Sequence, residues 1–236
     1  LSMPACKATL DPARNTEKSS IVVAMTRNGT DFGVQLAGTG DEWFTGPAGV
    51  PDALFFPGFT KEDANPDIGD SSITETNGLG GFAIAAAPAI VQFVGGDASD
   101  AIRYTLQMYE IASGENAAYQ IPYLDFRGTP TGIDVIKVVE KNILPFIDTG
   151  VAHREPGIGQ VGAGVLSASL EPFPRAFEGL TERLIGERRR GGESGVSLRT
   201  GTAVGGDRAP FRRRGATRTI RNRRTQMTTE EFLKFM

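Results

Sequence analysis

The sequence predicts an α+β fold, a mixed sheet with packed helices, followed by a basic C-terminal tail that is disordered. Three observations carry this. Short β-branched runs and helical periods interleave irregularly, which argues against a regular doubly wound fold. Composition is that of a globular chain, with 39% hydrophobic and 22% charged residues and a mean hydropathy of −0.19. That excludes collagen, coiled coil and wholesale disorder. Finally, the net charge of −3 hides a division: residues 1–180 carry 11 basic and 22 acidic side chains, whereas residues 181–236 carry 14 basic and 6 acidic. An acidic body and a basic tail are expected.

Residues 1–18 read as the remains of a helix with a polar end. Residues 21–26 form a β-branched run, hence a buried strand; Asn28-Gly29 is a turn signal, and residues 33–37 resume as a second strand. Residues 38–70 are rich in Gly, Pro and Asp without a period of their own, the mark of a functional or lid-like loop. Trp43, Phe44, Phe55, Phe56 and Phe59 should pin it to the body.

Residues 72–94 read as a buried helix, with Ser71, Ser72 or Thr74 as its cap. Gly78, Gly80 and Gly81 each weaken it by about 1 kcal/mol relative to Ala, or mark a loop before a helix starting near Phe82. Asp97 or Ser99 caps a helix over 98–118, with Ile102, Leu106, Tyr109 and Ala112 or Ser113 at helical spacing. Residues 121–132 are a Pro/Gly loop. Residues 133–142 form an amphipathic helix with Ile133, Ile136, Val139 and Ile143 on one side. Strands follow at 146–152 and 161–170, and a last helix at 172–186. Residues 187–226 show no apolar period; Arg and Gly dominate, and such a segment buries too little to offset its ordering entropy.

Several classes are excluded early. One Cys and one His rule out a disulfide framework and a Cys/His zinc site. The longest apolar stretch, residues 82–94, is broken by Pro88 and Gln92 and is too short to span a bilayer. The opening Leu-Ser-Met-Pro lacks a basic segment followed by an apolar one, so a cytoplasmic location is expected. The tail's Arg clusters attract phosphate, but Phe211 is the one aromatic among them, which disfavours nucleic-acid binding.

Candidate chemistry sits in loops. The run NPDIGDSSITET, residues 65–76, places Asp70, Ser71, Ser72 and Thr74 before a helix, where they either cap it or meet phosphate or carboxylate oxygens. Asp63, Asp67, Asp70 and Glu75 offer weak Mg²⁺ binding at most; no other cofactor is expected. Arg27 ends a strand beside a tight turn and either clamps an anion or pairs with Asp31. The loop of residues 38–51 is either a lid carrying Trp43 or a plug. Arg127 lies among glycines and hydroxyls in DFRGTPTGID. His153 and Arg154 open a Gly-rich loop whose Gly157, Gly159 and Gly162 spell GxGxxG. A strand rather than a helix follows, so dinucleotide geometry is missing. His153, with an ordinary pKa near 6.5, suits proton transfer or carbonyl polarisation.

The runs TRNGTDFG, GTGDEWFT, FPGF, NPDIGDSSITET, GLGGFAIAAAPAIVQFVGG, DFRGTPTGID and AHREPGIGQVGAG resemble the C-terminal half of the YlbE-like family, long catalogued as a domain of unknown function. One branch of that family is a subunit of oxamate carbamoyltransferase in anaerobic allantoin breakdown. The resemblance covers about residues 3–180. It implies a family region at 1–186 without the family's N-terminal part, and an Arg/Gly-rich non-family tail at 187–236.

The function so implied is transfer of a carbamoyl group between carbamoyl phosphate and oxamate, with oxalurate on the other side. The implied partners are an FdrA-like protein, which itself resembles acyl-CoA synthetases, and a further transferase subunit. The alternative is a non-catalytic scaffold for the FdrA-like protein. Arg27, Arg127 and Arg154 are the candidate clamps for small anionic substrates, Asp70, Ser71, Ser72 and Thr74 the phosphate site, and His153 the catalytic donor. At least two of these Arg side chains and His153 are expected to converge with the 70–74 turn on one cleft.

Overall fold

In the computed structural model the first helix, α1 (Ser2–Leu10), is followed by two long antiparallel strands, β1 (Val22–Asn28) and β2 (Asp31–Leu36). The turn between them is the expected Asn28-Gly29: the Asn28 side chain accepts from the Thr30 and Asp31 backbone N–H groups, and Gly29 takes φ +84°. β2 is buried along nearly its whole length, because α6 (Pro172–Glu193) lies over it and brings Phe173 to within 6.2 Å of Phe32, ring centre to ring centre.

Residues 38–70 are not one loop. They contain three short strands, β3 (Phe44–Pro47), β4 (Asp52–Phe55) and β5 (Ile68–Gly69). β3 and β5 complete a four-stranded sheet in the order β3-β2-β1-β5. β4 leaves for a second sheet, β4-β9-β8, with β8 (Phe146–Ala152) and β9 (Gln160–Ser167). Four-residue strands between Gly and Pro are too short to show a period, and pairing with neighbours distant in sequence decides their state. Of the expected aromatic pins, Phe44 is buried, while Trp43 and Phe56 are 44% and 47% exposed.

The helix expected over 72–94 is broken. α2 (Ser72–Thr76) stops before Gly78, whose left-handed backbone passes so close to the Pro130 carbonyl that a Cβ would sit 2.3 Å from it. A 3-10 segment over Gly80–Ala86 and a short helix, α3 (Pro88–Gln92), follow. α4 (Ala98–Ile111) begins at the expected Asp97, in a reciprocal capping box with Asp100. It ends seven residues short of expectation, and its buried face is Ala101, Thr105, Met108 and Ile111 rather than the expected Ile102–Leu106–Tyr109 line.

Residues 112–133 form a two-stranded ribbon, β6 (Ala112–Ile121) with β7 (Arg127–Ile133), where a helix end and a loop were expected. Ser113, Gly114 and Asn116 are poor helix formers, and Asn116 bonds its own backbone neighbours at Ala118 and Tyr119. α5 (Val135–Lys141) is capped by Asp134, and buries Val135 and Val138.

The fold class is α+β, as expected, but the sheets among the described residues are antiparallel rather than mixed. The structure describes residues 1–92 and 96–193, all within the compact unit Leu1–Gly195. α6 continues seven residues past the expected helix end at 186, so residues 187–193, expected to be disordered, are helical; the rest of the expected tail, 194–236, lies outside the described residues. No helix among the described residues is long and apolar enough to cross a membrane.

Candidate functional site

β1 carries the two centres of interest on successive residues. Arg27, near its end, is paired with β5 by register and is buried, with 1% of its side chain exposed. Its Nε donates to Asp67 Oδ2 at 2.7 Å; its Nη2 donates to Ser71 Oγ and to Thr149 Oγ1, each at 2.9 Å. Thr149 in turn donates to Asp67 Oδ1 at 2.9 Å. The guanidinium therefore joins the 67–71 turn and β8 of the second sheet. Its Nη1 is buried with no hydrogen-bond partner. The partner is Asp67 rather than the expected Asp31.

Next to this hub lies a buried carboxyl. Glu75, on α2, is 1% exposed, and burial pushes its pKa up to about 7 despite hydrogen bonds from the Gly81 and Asp148 backbone N–H groups and the Thr74 hydroxyl. Asp148 is raised by the same desolvation.

On the other side, α1, the 3-10 turn after it, β1, β2 and the start of α2 enclose a cleft of about 440 Å³. Met3, Met25 and Ile73 supply apolar wall, while Lys7, Arg14, Thr26, Gln35, Trp43 and Asp70 bring polar groups and a ring to it. Gln35 is 2% exposed, a polar side chain set within the apolar strand β2. Both cations are held by surface carboxylates: Lys7 by Asp11, and Arg14 by Asp41 at 2.7 Å and Asp11 at 3.9 Å. Asp41 is 84% and Asp11 47% exposed. Such pairs are worth about 0–1 kcal/mol and exchange readily for another anion. Trp43 lies against Gly33 of β2; a Cβ there would sit 3.2 Å from the indole Cε3.

The expected site residues do not gather in one place. Arg27 and Ser71 meet at the hub. Ser72 donates to the Met25 carbonyl, and the Thr74 hydroxyl lies 2.6 Å from the Ser71 carbonyl and 2.9 Å from Glu75 Oε2, so both hydroxyls are engaged within the protein. Asp70 is exposed and faces the cleft. His153 directly follows β8, four residues beyond Thr149 and so about 13 Å along the chain from the hub. Its Nδ1 accepts from the Glu155 N–H at 2.8 Å, its Nε2 lies 3.8 Å from Asp63, and its ring meets Phe59 edge-on. Arg154 is exposed, and its backbone N–H donates to the Asp63 carbonyl.

Arg127 is at the tip of the β6–β7 ribbon, bonded to Glu115 at 2.7 Å and stacked 3.6 Å over the Tyr109 ring. The ribbon's base, Thr131, bonds Asn77, which leaves Arg127 at the opposite end. The expected single cleft is therefore corrected: strand direction carries His153 and Arg127 away from the 70–74 turn. The expected Mg²⁺ carboxylates are also dispersed, with Asp67 on Arg27, Glu75 in the interior, Asp63 in a capping box and Asp70 on the cleft. Among the described residues no three His, Cys, Asp or Glu side chains are grouped to hold a metal ion.

Lys7, Arg14 and Gln35 escaped the sequence reading. One signal was present: Gln35 interrupts the apolar run of residues 32–37, and a polar residue in a buried strand is the informative exception.

Residues 1–71 match the family model described as oxamate carbamoyltransferase subunit AllG. The resemblance is to AllG. A curated relative, the oxamate carbamoyltransferase subunit AllG of Escherichia coli strain K12, is 49% identical over 185 residues, 78% of this chain and 44% of the relative. The uncharacterized protein YahG of the same strain is 46% identical over 181 residues, 77% of this chain and 38% of YahG. A crystal structure of a conserved protein of unknown function from Enterococcus faecalis V583 superposes with a TM-score of 0.75 at 50% identity, covering 77% of this chain and 43% of that one. The chain thus spans less than half the length of the relatives it matches. The branch matched is the carbamoyltransferase subunit to which the sequence resemblance pointed. The AllG match over residues 1–71 takes in Lys7, Arg14, Thr26, Arg27, Gln35, Trp43, Asp67, Asp70 and Ser71, so the cleft's polar lining and most of the hub lie within it.

Proposed function

We propose that this chain is part of a subunit of a carbamoyltransferase complex that moves a carbamoyl group between phosphate and oxamate. The observation that carries this reading is the 49% identity to the AllG subunit over 185 residues. In the direction of breakdown, a phosphate oxygen attacks the carbamoyl carbon of oxalurate. The bond from that carbon to the oxamate nitrogen breaks, the nitrogen takes a proton, and carbamoyl phosphate and oxamate leave. Charge builds on the carbamoyl oxygen, and positioned donors lower the barrier. Both acids and phosphate are anions, and the cleft's Lys7 and Arg14, held by exchangeable surface pairs, support a role in holding them. The proposed setting is anaerobic allantoin catabolism in the cytoplasm, with an FdrA-like protein and a further transferase subunit as partners.

A second reading, a non-catalytic scaffold for the FdrA-like protein, is favoured by one feature. The β6–β7 ribbon packs on α4 and the 3-10 segment yet leaves Tyr119, Tyr123 and Phe126 49%, 66% and 64% exposed, apolar surface that a partner would cover. Reconstitution separates the readings. Phosphate-dependent release of oxamate from oxalurate should require this chain and fall sharply when Arg14 is replaced. Release that needs the chain but ignores the cleft favours the scaffold; release without the chain overturns both.

A further inference from the structure

The cleft's groups are not spread evenly. Lys7 and Arg14 share Asp11 and so stand together at one wall. Asp70 enters from the turn before α2, and buried Gln35 and Thr26 come from neighbouring strands. Trp43 packs against Gly33 and is 44% exposed. Two cations favour a carboxylate. A carboxylate at Asp70 repels a second negative charge and accepts N–H donors. An amide side chain such as Gln35 both donates and accepts, and an indole face suits a planar conjugated ligand.

We propose that this cleft binds a small planar carboxylic acid that also bears an amide or ureide. Its carboxylate would lie at Lys7 and Arg14, its N–H groups toward Asp70 and Gln35, and its plane by Trp43. This rests on the transferase reading for its choice of probe, oxalurate; the recognition argument stands on the cleft. The volume of about 440 Å³ exceeds one such molecule and leaves room for a second small reactant beside it, as a bimolecular transfer requires.

Trp43 is the one tryptophan of the chain, so its fluorescence reports on the cleft. Oxalurate and oxamate should change its emission saturably. Oxamide, which lacks the carboxylate, and oxalate, which lacks the amide, should bind at least about tenfold more weakly, the loss expected for a charged hydrogen bond. Arg14→Ala should weaken oxalurate about tenfold. Lys7→Gln, on the exposed face of α1, gives the same reading should Arg14→Ala fail to fold. Asp70→Asn should weaken oxalurate and strengthen oxalate, because it removes the like charge.

No saturable change at millimolar oxalurate, or equal affinity in the wild type and both cation variants, overturns the proposal. Oxalate binding as well as oxamate overturns its amide half. Binding by the chain without carbamoyl transfer by the complex upholds the cleft and sinks the transferase reading. Transfer at the wild-type rate with Arg14→Ala in the complex overturns the cleft as the substrate's seat.

Discussion

Two arginines, Arg27 and Arg14, each pair with an aspartate at 2.7 Å, yet they do different work. Arg27 and Asp67 are each 1% exposed, and the guanidinium is bonded by Ser71 from the turn before α2 and by Thr149 from β8. Arg14 is 32% exposed and its partner Asp41 84%. Distance is the same, but solvent differs. In the interior, the desolvated pair is strongly directional and costly to break, so it fixes geometry. At the cleft, water screens the pair to about 0–1 kcal/mol, so a ligand anion can replace the partner. An arginine beside a glycine-rich turn is legible in sequence as chemistry; its desolvation decides which chemistry.

Breaking the buried pair should give the largest effect. Arg27→Met leaves Asp67 charged, buried and short of a partner, and should cost about 3–5 kcal/mol by denaturant unfolding. Arg27→Met combined with Asp67→Leu should recover part of that loss, since the stranded charge is gone. A single variant within about 1 kcal/mol of wild type would mean that water reaches Asp67 and that the hub is no more structural than the cleft.

Glu75 sharpens the comparison through pH. Its carboxyl titrates near 7 in the folded chain against about 4.3 in an unfolded one. The folded state therefore binds the proton more tightly. The stability associated with protonated Glu75 is fully present below about pH 4 and is lost as pH rises through 7. The difference amounts to about 4 kcal/mol. Glu75→Gln should flatten the fall in stability between about pH 5 and 8 and make the chain more stable than wild type at pH 8. Parallel stability profiles for the two proteins would show that the carboxyl is solvated.

How much of this was legible in the sequence follows from range. Local signals worked: the Asn28-Gly29 turn, the Asp97 cap, and the strand over 146–152, which matches β8 residue for residue. Elements decided by distant pairing did not. The spacing of Ile102, Leu106, Tyr109 and Ala112 carries the helix reading into β6, and pairing with β7 makes it a strand. β4 is four residues held by β9, more than a hundred positions away. The face of α4 was misread because Ile102 and Leu106 look like core, yet its interior side is Ala101, Thr105 and Met108. The candidate site divided in the same way. Asp70 and Ser71 adjoin because they are neighbours in one turn, whereas Arg27 reaches Ser71 from 44 positions away through the pairing of β1 with β5. Lys7 and Arg14 join it only through the packing of α1 on α2, which no spacing announces.

The smallest effect tests the division most directly. The sequence makes Arg127 a candidate clamp for the substrate acid, a role whose loss would weaken oxamate or oxalurate binding by about 2–3 kcal/mol. The structure instead commits its Nε to Glu115 and its guanidinium face to Tyr109, at the end of the ribbon away from Asn77 and the 70–74 turn. Both contacts are half-exposed, a surface ion pair and a cation–π contact. Together they are worth about 2 kcal/mol at most. Arg127→Ala should therefore lower stability by no more than that, mainly by uncovering Tyr109, and leave the oxalurate affinity reported by Trp43 unchanged. The Tyr109 hydroxyl keeps its hydrogen bond to the Gly128 carbonyl, so the ribbon should hold its register. A tenfold loss of affinity in a variant that melts like wild type would place the acid at the ribbon. The cleft and the hub would then be two parts of one scaffold, with the chemistry at neither.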